Sequence, residues 1–595
     1  MVNSLAFTPV RRTHLIEHLG PGALQLSQNG VCGIICGPPI WLESLKAMDA
    51  ATAYSIFENQ TIRDSHMERP MGVNRLVAPW PMSDNPTLKT DWIVPAARFP
   101  LYEYCRNHSC RALVCREDPS DHKEGHCDRC TTSNRRKWTT VQVPVVLACL
   151  DGHLADVPWS RWVHSVSGPD CRNPNYLQFQ PGSLPDQPLV KCRSCLRQRT
   201  LSRDDEFPCS GERPWLPGLP REECAKKAQV LERTSTTIYY PTALSSLTIP
   251  ERGVDNPKLV HLFHTSSAIR SQRRTYERSG SEASVEEIVS ICVQLGLPTD
   301  VEQVKRHIAA LNVERNSTED RSRELDALLA CRPAPKSGFG FPDLIVEPQN
   351  MASYGTNPIV AAFDAVSLVP RLREVRVLTG FRRVKPPTDV GSVNYEQLWG
   401  EPMPEQIRDD DRKGWLPAFE VFGEGILFQL DEQVVDDWER NIEHIASKRA
   451  MGHARTPRKF LVHTLAHMVM RAAAPYAGYL LPSLRERLYE VDGRLAFLIY
   501  TAAGDIQGTL GGLVELGRPG RLELLLEEAV ERIRWCSTDP VCIEDGIELD
   551  LSGTTQPGAC HHCILVPETS CEHGNRILDR AAVIGIEGLG GLNGL

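Results

Sequence analysis

Cysteine spacing constrains this chain more than any other feature, most sharply between Trp535 and Arg580. There WCSTDPVC is followed by ACHHCILVPETSCEHGNRILDR, so Cys536 and Cys542 face a second pair, Cys560 and Cys563, across a moderate loop. Two close thiolate pairs joined in this way suit a tetrahedral Zn²⁺ site, and the Cys-x2-Cys half is the more specific one. The alternative is buried free cysteines, which pack as small hydrophobes. His561, His562, Cys571 and His573 lie within reach and add weight to metal. A site closed by four thiolates leaves no position for water, so it points to structural rather than catalytic zinc.

With 595 residues the chain has room for about three to five domains with buried cores. Its N-terminus, MVNSLAFTPVRRTHLIEHLGPGA, lacks the apolar stretch of a secretory signal, and no run reaches the roughly 18–20 apolar residues of a membrane helix. The expected setting is the cytoplasm, where reduced thiols serve metal sites rather than disulfides. A formal net charge of −9 does not recruit nucleic acid, although a local basic field can still hold phosphates. Four basic stretches offer such a field. They contain Arg135, Arg136 and Lys137; Arg270, Arg273 and Arg274; Arg382, Arg383 and Lys385; and Lys448, Arg449, Arg455, Arg458 and Lys459. Each by itself reads first as a solvated face.

The pattern along the chain predicts a multidomain α+β protein with loop-rich, zinc-ribbon-like modules. Residues 1–98 read as a mostly β domain, with Cys32 and Cys36 in its core, and residues 99–235 as a cysteine-rich zinc-binding region. Within the latter, VQVPVVLACL favours strand. Residues 236–459 form a middle α+β domain with a helical insert at 283–331, ended by the Pro- and Gly-rich RPAPKSGFGFPD. REVRVLTGFRRV and FEVFGEGILFQL read as strands. Residues 460–595 form a mixed α/β zinc-binding domain: a helix from Phe460 to Arg471, a helix at SLRERLYE, a strand at LAFLIYT, then an amphipathic helix with Leu522, Leu525, Leu526, Ala529, Val530 and Ile533 on one face.

Further ligand sets are expected upstream. Cys105, Cys110, Cys127 and Cys130 form one, with His108 and Cys115 competing for a place in it. Cys192, Cys195, Cys209 and Cys224 form a second, while Cys149, His153 and Cys171 lack an evident fourth donor. Zinc stoichiometry is thus two or three. In HTLAH, His463 and His467 share a helix face, but Thr464 stands where a metalloprotease carries its glutamate. Structural histidines are favoured there over a catalytic metal. GDIQGTLGGL places Gly508, Gly511 and Gly512 in a turn that suits either a phosphate or a tight bend. No GxxxxGK[ST], GxSxG, kinase set or dinucleotide fingerprint occurs, which argues against an autonomous ATPase.

The C-terminal run, with LVHTLAHMVM and YTAAGDIQGTLGGL before it, resembles the zinc-binding C-terminal domain of MrfA-type helicases. RRTHLIEHLGPGA, RFPLYEYC, VVLACLDGHLADVPWSRWVH, CSGERPWLPGLPREEC, STTIYYPTALSSLTIP and LREVRVLTGFRRVKPP extend the likeness along nearly the whole chain, to the DrmB family of the bacterial DISARM anti-phage defence system. One departure is CRNHSC after RFPLYEY, where that family suggests Cys-x2-Cys. The resemblance implies a non-catalytic subunit that pairs with an SNF2-like helicase, DrmA, and engages phage DNA, including a single-stranded segment. The Arg and Lys stretches named above would then follow phosphates. The competing enzyme reading is a metal-dependent nuclease built on His463 and His467 with acids such as Asp505.

Overall fold

Pro144 divides the apolar run VQVPVVLACL. Lacking an N–H for the ladder, it separates strand Thr140–Gln142 from strand Val145–Cys149, and the two enter different sheets. The computed structural model describes residues 12–27, 30–41, 60–62, 64–68, 71, 73, 75–79, 95–118, 125–130, 138–166, 170–249, 259, 262–263, 266–311, 317–333, 343–385, 414–446, 457–501, 511–544, 547–548, 555–585 and 592. Helices and strands are mixed throughout, as the α+β expectation required. The chain forms two compact units, each discontinuous: residues 1–246 with 375–420, and residues 247–374 with 421–595.

The first unit contains several small antiparallel sheets, besides strands of a larger eight-stranded sheet in which Arg75–Val77 pairs in parallel with Trp415–Pro417. Cys32–Ile35 lies between Leu24–Leu26 and Ala96–Arg98, and Tyr102–Cys105 lies between Leu113–Cys115 and Thr140–Gln142. Val145–Cys149 is flanked by Leu154–Ala155 and Lys227–Glu232, and the latter also pairs with Glu206–Pro208. Leu177–Gln180, Leu189–Cys192 and Gln198–Thr200 complete another three-stranded sheet. Val145, Leu147, Trp159, Phe179 and Val190 share one apolar core with the cysteines at the strand ends. Each of these small sheets can bury little by itself, so metal cross-links at their ends are the natural complement.

In the second unit the long helix Pro457–Ala477 is buried on nearly every side, from Leu461 through Met470. Its partner is Leu522–Ile533, whose buried residues are the six expected from its periodicity. Four helices follow one another at Ser267–Ser279, Glu282–Gln294, Val301–Leu311 and Ser317–Leu329. Ser266 caps the first by accepting the Ile269 N–H at 3.3 Å, and Gly280 ends it at φ +66°.

SLRERLYE is a strand, not the expected helix. Leu484–Val491 pairs antiparallel with Arg494–Thr501 through Asp492-Gly493, both at positive φ. That dipeptide makes the tight hairpin turn that fixes a two-strand register. The three- and four-residue spacing of Leu484, Leu488 and Val491 imitates a helical face, but hairpin pairing with LAFLIYT decides the conformation. No helix among the described residues is long and apolar enough to cross a membrane.

Candidate metal centres

Among the described residues, strand ends and turns gather four cysteine-rich donor sets, each with its ligand atoms within 4.8 Å of one another. With Zn–S bonds of about 2.3 Å, sulfurs on a tetrahedron lie about 3.8 Å apart. The observed sulfur separations can be judged against that edge.

In the first set, Cys105 closes its strand and Cys110 lies in the Asn107–Arg111 turn, where Arg111 takes φ +46°. Cys105 Sγ is 3.6 Å from Cys130 Sγ, and Cys110 Sγ is 3.9 Å from Cys127 Sγ. His108 instead meets the Arg111 guanidinium at 3.0 Å, and Cys115 is exposed outside the group. The CRNHSC spacing therefore lengthens the turn and still delivers Cys110.

The second set corrects the expected grouping of Cys192, Cys195, Cys209 and Cys224. Cys209 and Cys224 end the paired strands Glu206–Pro208 and Lys227–Glu232, and the latter lies beside Val145–Cys149. They therefore join Cys149 and His153, which sit across the turn that contains Gly152 at φ +88°. Cys149 Sγ lies 3.4 Å from His153 Nδ1, while His153 Nε2 lies 2.9 Å from the Glu222 carboxylate. Glu222 thus accepts the Nε2–H and leaves Nδ1 as the ligand atom, the usual arrangement behind a zinc-bound histidine. Burial raises the Cys149 thiol pKa, but hydrogen bonds that include the backbone N–H groups of His153 and Asp151 together outweigh it and bring the value down to about 7. Glu222→Ala should weaken zinc at this centre by about 10–100-fold, measured by chelator competition; unchanged retention would remove Glu222 from this role.

Cys192 and Cys195 belong to a third set with Cys171 and His164. Pairing of Leu177–Gln180 with Leu189–Cys192 brings the segment around Cys171 to the Cys-x2-Cys turn, where Leu196 takes φ +63°. Cys171 Sγ lies 3.6 Å from Cys192 Sγ. His164 follows helix Trp159–Val163, gives its Nδ1–H to the Ser160 carbonyl at 2.6 Å and places Nε2 3.4 Å from Cys195 Sγ. His164 is absent from the sequence expectation, although its position seven residues before Cys171 is a usable signal.

Cys536, Cys542, Cys560 and Cys563 make the fourth set, all buried. Cys536 and Cys560 lie 3.4 Å apart, Cys542 and Cys563 3.8 Å, and Cys560 and Cys563 3.7 Å. Burial raises the Cys560 thiol pKa, yet hydrogen bonds from Thr538 and the Cys563 backbone overcome it and lower the value to about 6. A ready thiolate suits zinc. Behind the site, Arg580 pairs with Asp539, whose carboxylate also accepts the Cys536 N–H at 2.7 Å.

The basic stretches differ in availability. Arg383 is fully buried and is corrected from a DNA contact to a structural residue. Its guanidinium donates to the carbonyls of Gly152 and Gly22, at 2.8 Å each, and of Ile238 at 2.5 Å. Arg458 pairs with Glu439 and Asp436, and Arg273 with Glu277. Lys385 is exposed, whereas Arg382 and Lys459 are half-buried. The side chains of Arg270 and Arg274, and all of Arg455, lie outside what is described, as do Arg135, Arg136, Lys137, Lys448, Arg449, Asp505 and Gly508.

At the glycine-rich turn, Gly512–Leu516 begins a short helix whose Leu513 and Val514 N–H groups both donate to Glu424 at 3.1 Å. An internal carboxylate fills the place that a phosphate would take. His463 and His467 are fully buried and face Glu486 and Cys571. A nuclease centre needs an open coordination position and access for DNA; this burial provides neither.

A model for a domain of unknown function, DUF8724, matches residues 11–240, and one for the MrfA Zn-binding domain matches residues 465–564. Among curated proteins, the DISARM protein DrmB of Bacillus paralicheniformis is 26% identical over 529 residues, covering 82% of this chain and 89% of the relative. The chain is therefore similar to a DISARM protein, DrmB, over most of its length, and it carries a C-terminal zinc-binding domain of the MrfA type.

Proposed function

We propose that this protein is a non-catalytic, zinc-organised subunit of a cytoplasmic anti-phage DISARM complex, in which it associates with an SNF2-like helicase of the DrmA type and helps to bind foreign DNA. The observation that carries the reading is the similarity to DrmB across 82% of the chain, joined to donor sets that are thiolate-rich and closed. The zinc ligands in this reading are Cys105, Cys110, Cys127 and Cys130; Cys149, His153, Cys209 and Cys224; His164, Cys171, Cys192 and Cys195; and Cys536, Cys542, Cys560 and Cys563. Zinc bound there cross-links strands and turns and supplies no open Lewis-acid position. Lys385, Arg382 and Lys459, with Arg270, Arg273, Arg274 and Arg455, would follow phosphates, including those of a single-stranded segment.

Co-purification with the partner helicase, followed by DNA titration at several salt concentrations, tests the proposal. The complex should bind DNA more tightly than either protein alone, and Lys385→Ala should lower the salt slope by about 1 without altering the melting curve. No association between the two proteins would defeat the reading. So would metal-dependent DNA cleavage by the isolated chain that is lost in His463→Ala.

A further inference from the structure

We propose that His463, His467, Glu486 and Cys571 form a fifth, largely buried metal site, with Zn²⁺ as its ion, separate from the four cysteine-rich sets. The ligand atoms come from three segments of the second unit: helix Pro457–Ala477, strand Leu484–Val491 and the turn at Cys571. All lie within 4.8 Å of one another. His463 Nε2 is 3.1 Å from Cys571 Sγ and 2.9 Å from Glu486 Oε1, and His467 Nε2 is 3.3 Å from Glu486 Oε2. His463, His467 and the Glu486 side chain are 0% exposed.

The hydrogen bonds around these groups assign their lone pairs. His463 Nδ1 lies 3.0 Å from the Ile577 carbonyl oxygen, and His467 Nδ1 lies 3.1 Å from that of Ile564. A carbonyl only accepts, so each Nδ1 carries the proton and each Nε2 turns a lone pair inward. This is the second-shell pattern of metal-bound histidine. Cys571 Sγ accepts backbone N–H groups from His573 at 3.3 Å and Asn575 at 3.2 Å, which stabilise a thiolate. Glu486 Oε1 accepts the Glu572 N–H at 3.2 Å. His467 Nε2 and Glu486 Oε2 are buried and make no hydrogen bond. Four electron-pair donors therefore converge at a largely buried point with little to bind but one another. A cation at their centre satisfies all four, and a tetrahedral two-nitrogen, one-oxygen, one-sulfur set suits Zn²⁺.

The rival arrangement fills the space with protons, as an ion pair between Glu486 and protonated histidine. Cadmium substitution of the full-length protein followed by ¹¹³Cd NMR separates the two. A single-thiolate site should give one resonance well upfield of those from cysteine-rich sites. Native mass spectrometry of the zinc-loaded chain should show one ion fewer in Cys571→Ser and in Glu486→Gln than in the wild type. The spectrum of the wild type decides the matter even if both variants fail to fold. An upfield resonance supports the site, and cadmium signals confined to the cysteine-rich range overturn it. Unchanged metal content in folded Cys571→Ser and Glu486→Gln also overturns it.

Discussion

Replacing Cys560 and Cys563 together with Ser should remove one zinc ion per chain and abolish cooperative unfolding of the C-terminal region. Both thiols lie in a core that includes Leu526, Val530 and Ile564, and each faces a cysteine delivered after helix Leu522–Ile533. Zinc coordination by such sets is worth about 10–16 kcal/mol in small zinc domains, comparable with the whole stability of a typical domain, about 5–15 kcal/mol. Zinc quantification and a thermal melt read the result. A normal melt with full zinc content would remove these residues from the ligand set.

Arg383→Met should destabilise the first unit by about 3–5 kcal/mol, because it strands the carbonyls of Gly22, Gly152 and Ile238 in a buried site. Burial pulls the arginine pKa down to about 9, which leaves it charged at neutral pH. Its face packs on Trp215 and Phe381, so the loss includes packing as well as hydrogen bonds. Chemical denaturation measures the change. Lys385→Ala serves as the comparison, since that side chain is exposed and should leave stability unchanged within about 0.5 kcal/mol. A stable Arg383→Met protein with weakened DNA binding would return Arg383 to the phosphate-contacting group.

The C-terminal ligand set was legible because both of its pairs are local in sequence and a strongly periodic helix leads into them. The upstream pairs were harder. Cys192 and Cys195 precede Cys209 and Cys224 closely, but strand pairing sends the first two toward Cys171 and His164 and the last two toward Cys149 and His153. Spacing along the chain carries no record of which strands become neighbours. For the same reason nothing local revealed that Phe363–Arg382 and Trp415–Leu430 each give part of their length to both units. Leu484–Val491 was misread because its leucine spacing fits a helix, while the Asp492-Gly493 turn that decides for a hairpin lies outside it. HTLAH gave half of the fifth site; Glu486 and Cys571 reach it only through tertiary packing.

Zinc is expected to hold this protein in shape. The most direct test is refolding the full chain after complete chelation, with and without Zn²⁺, while counting bound ions and recording the melt. A cooperative transition should return only with zinc, and at least four ions should be bound per chain, matching the four cysteine-rich donor sets among the described residues. A metal-free chain that refolds to the same melting curve would contradict this role for zinc.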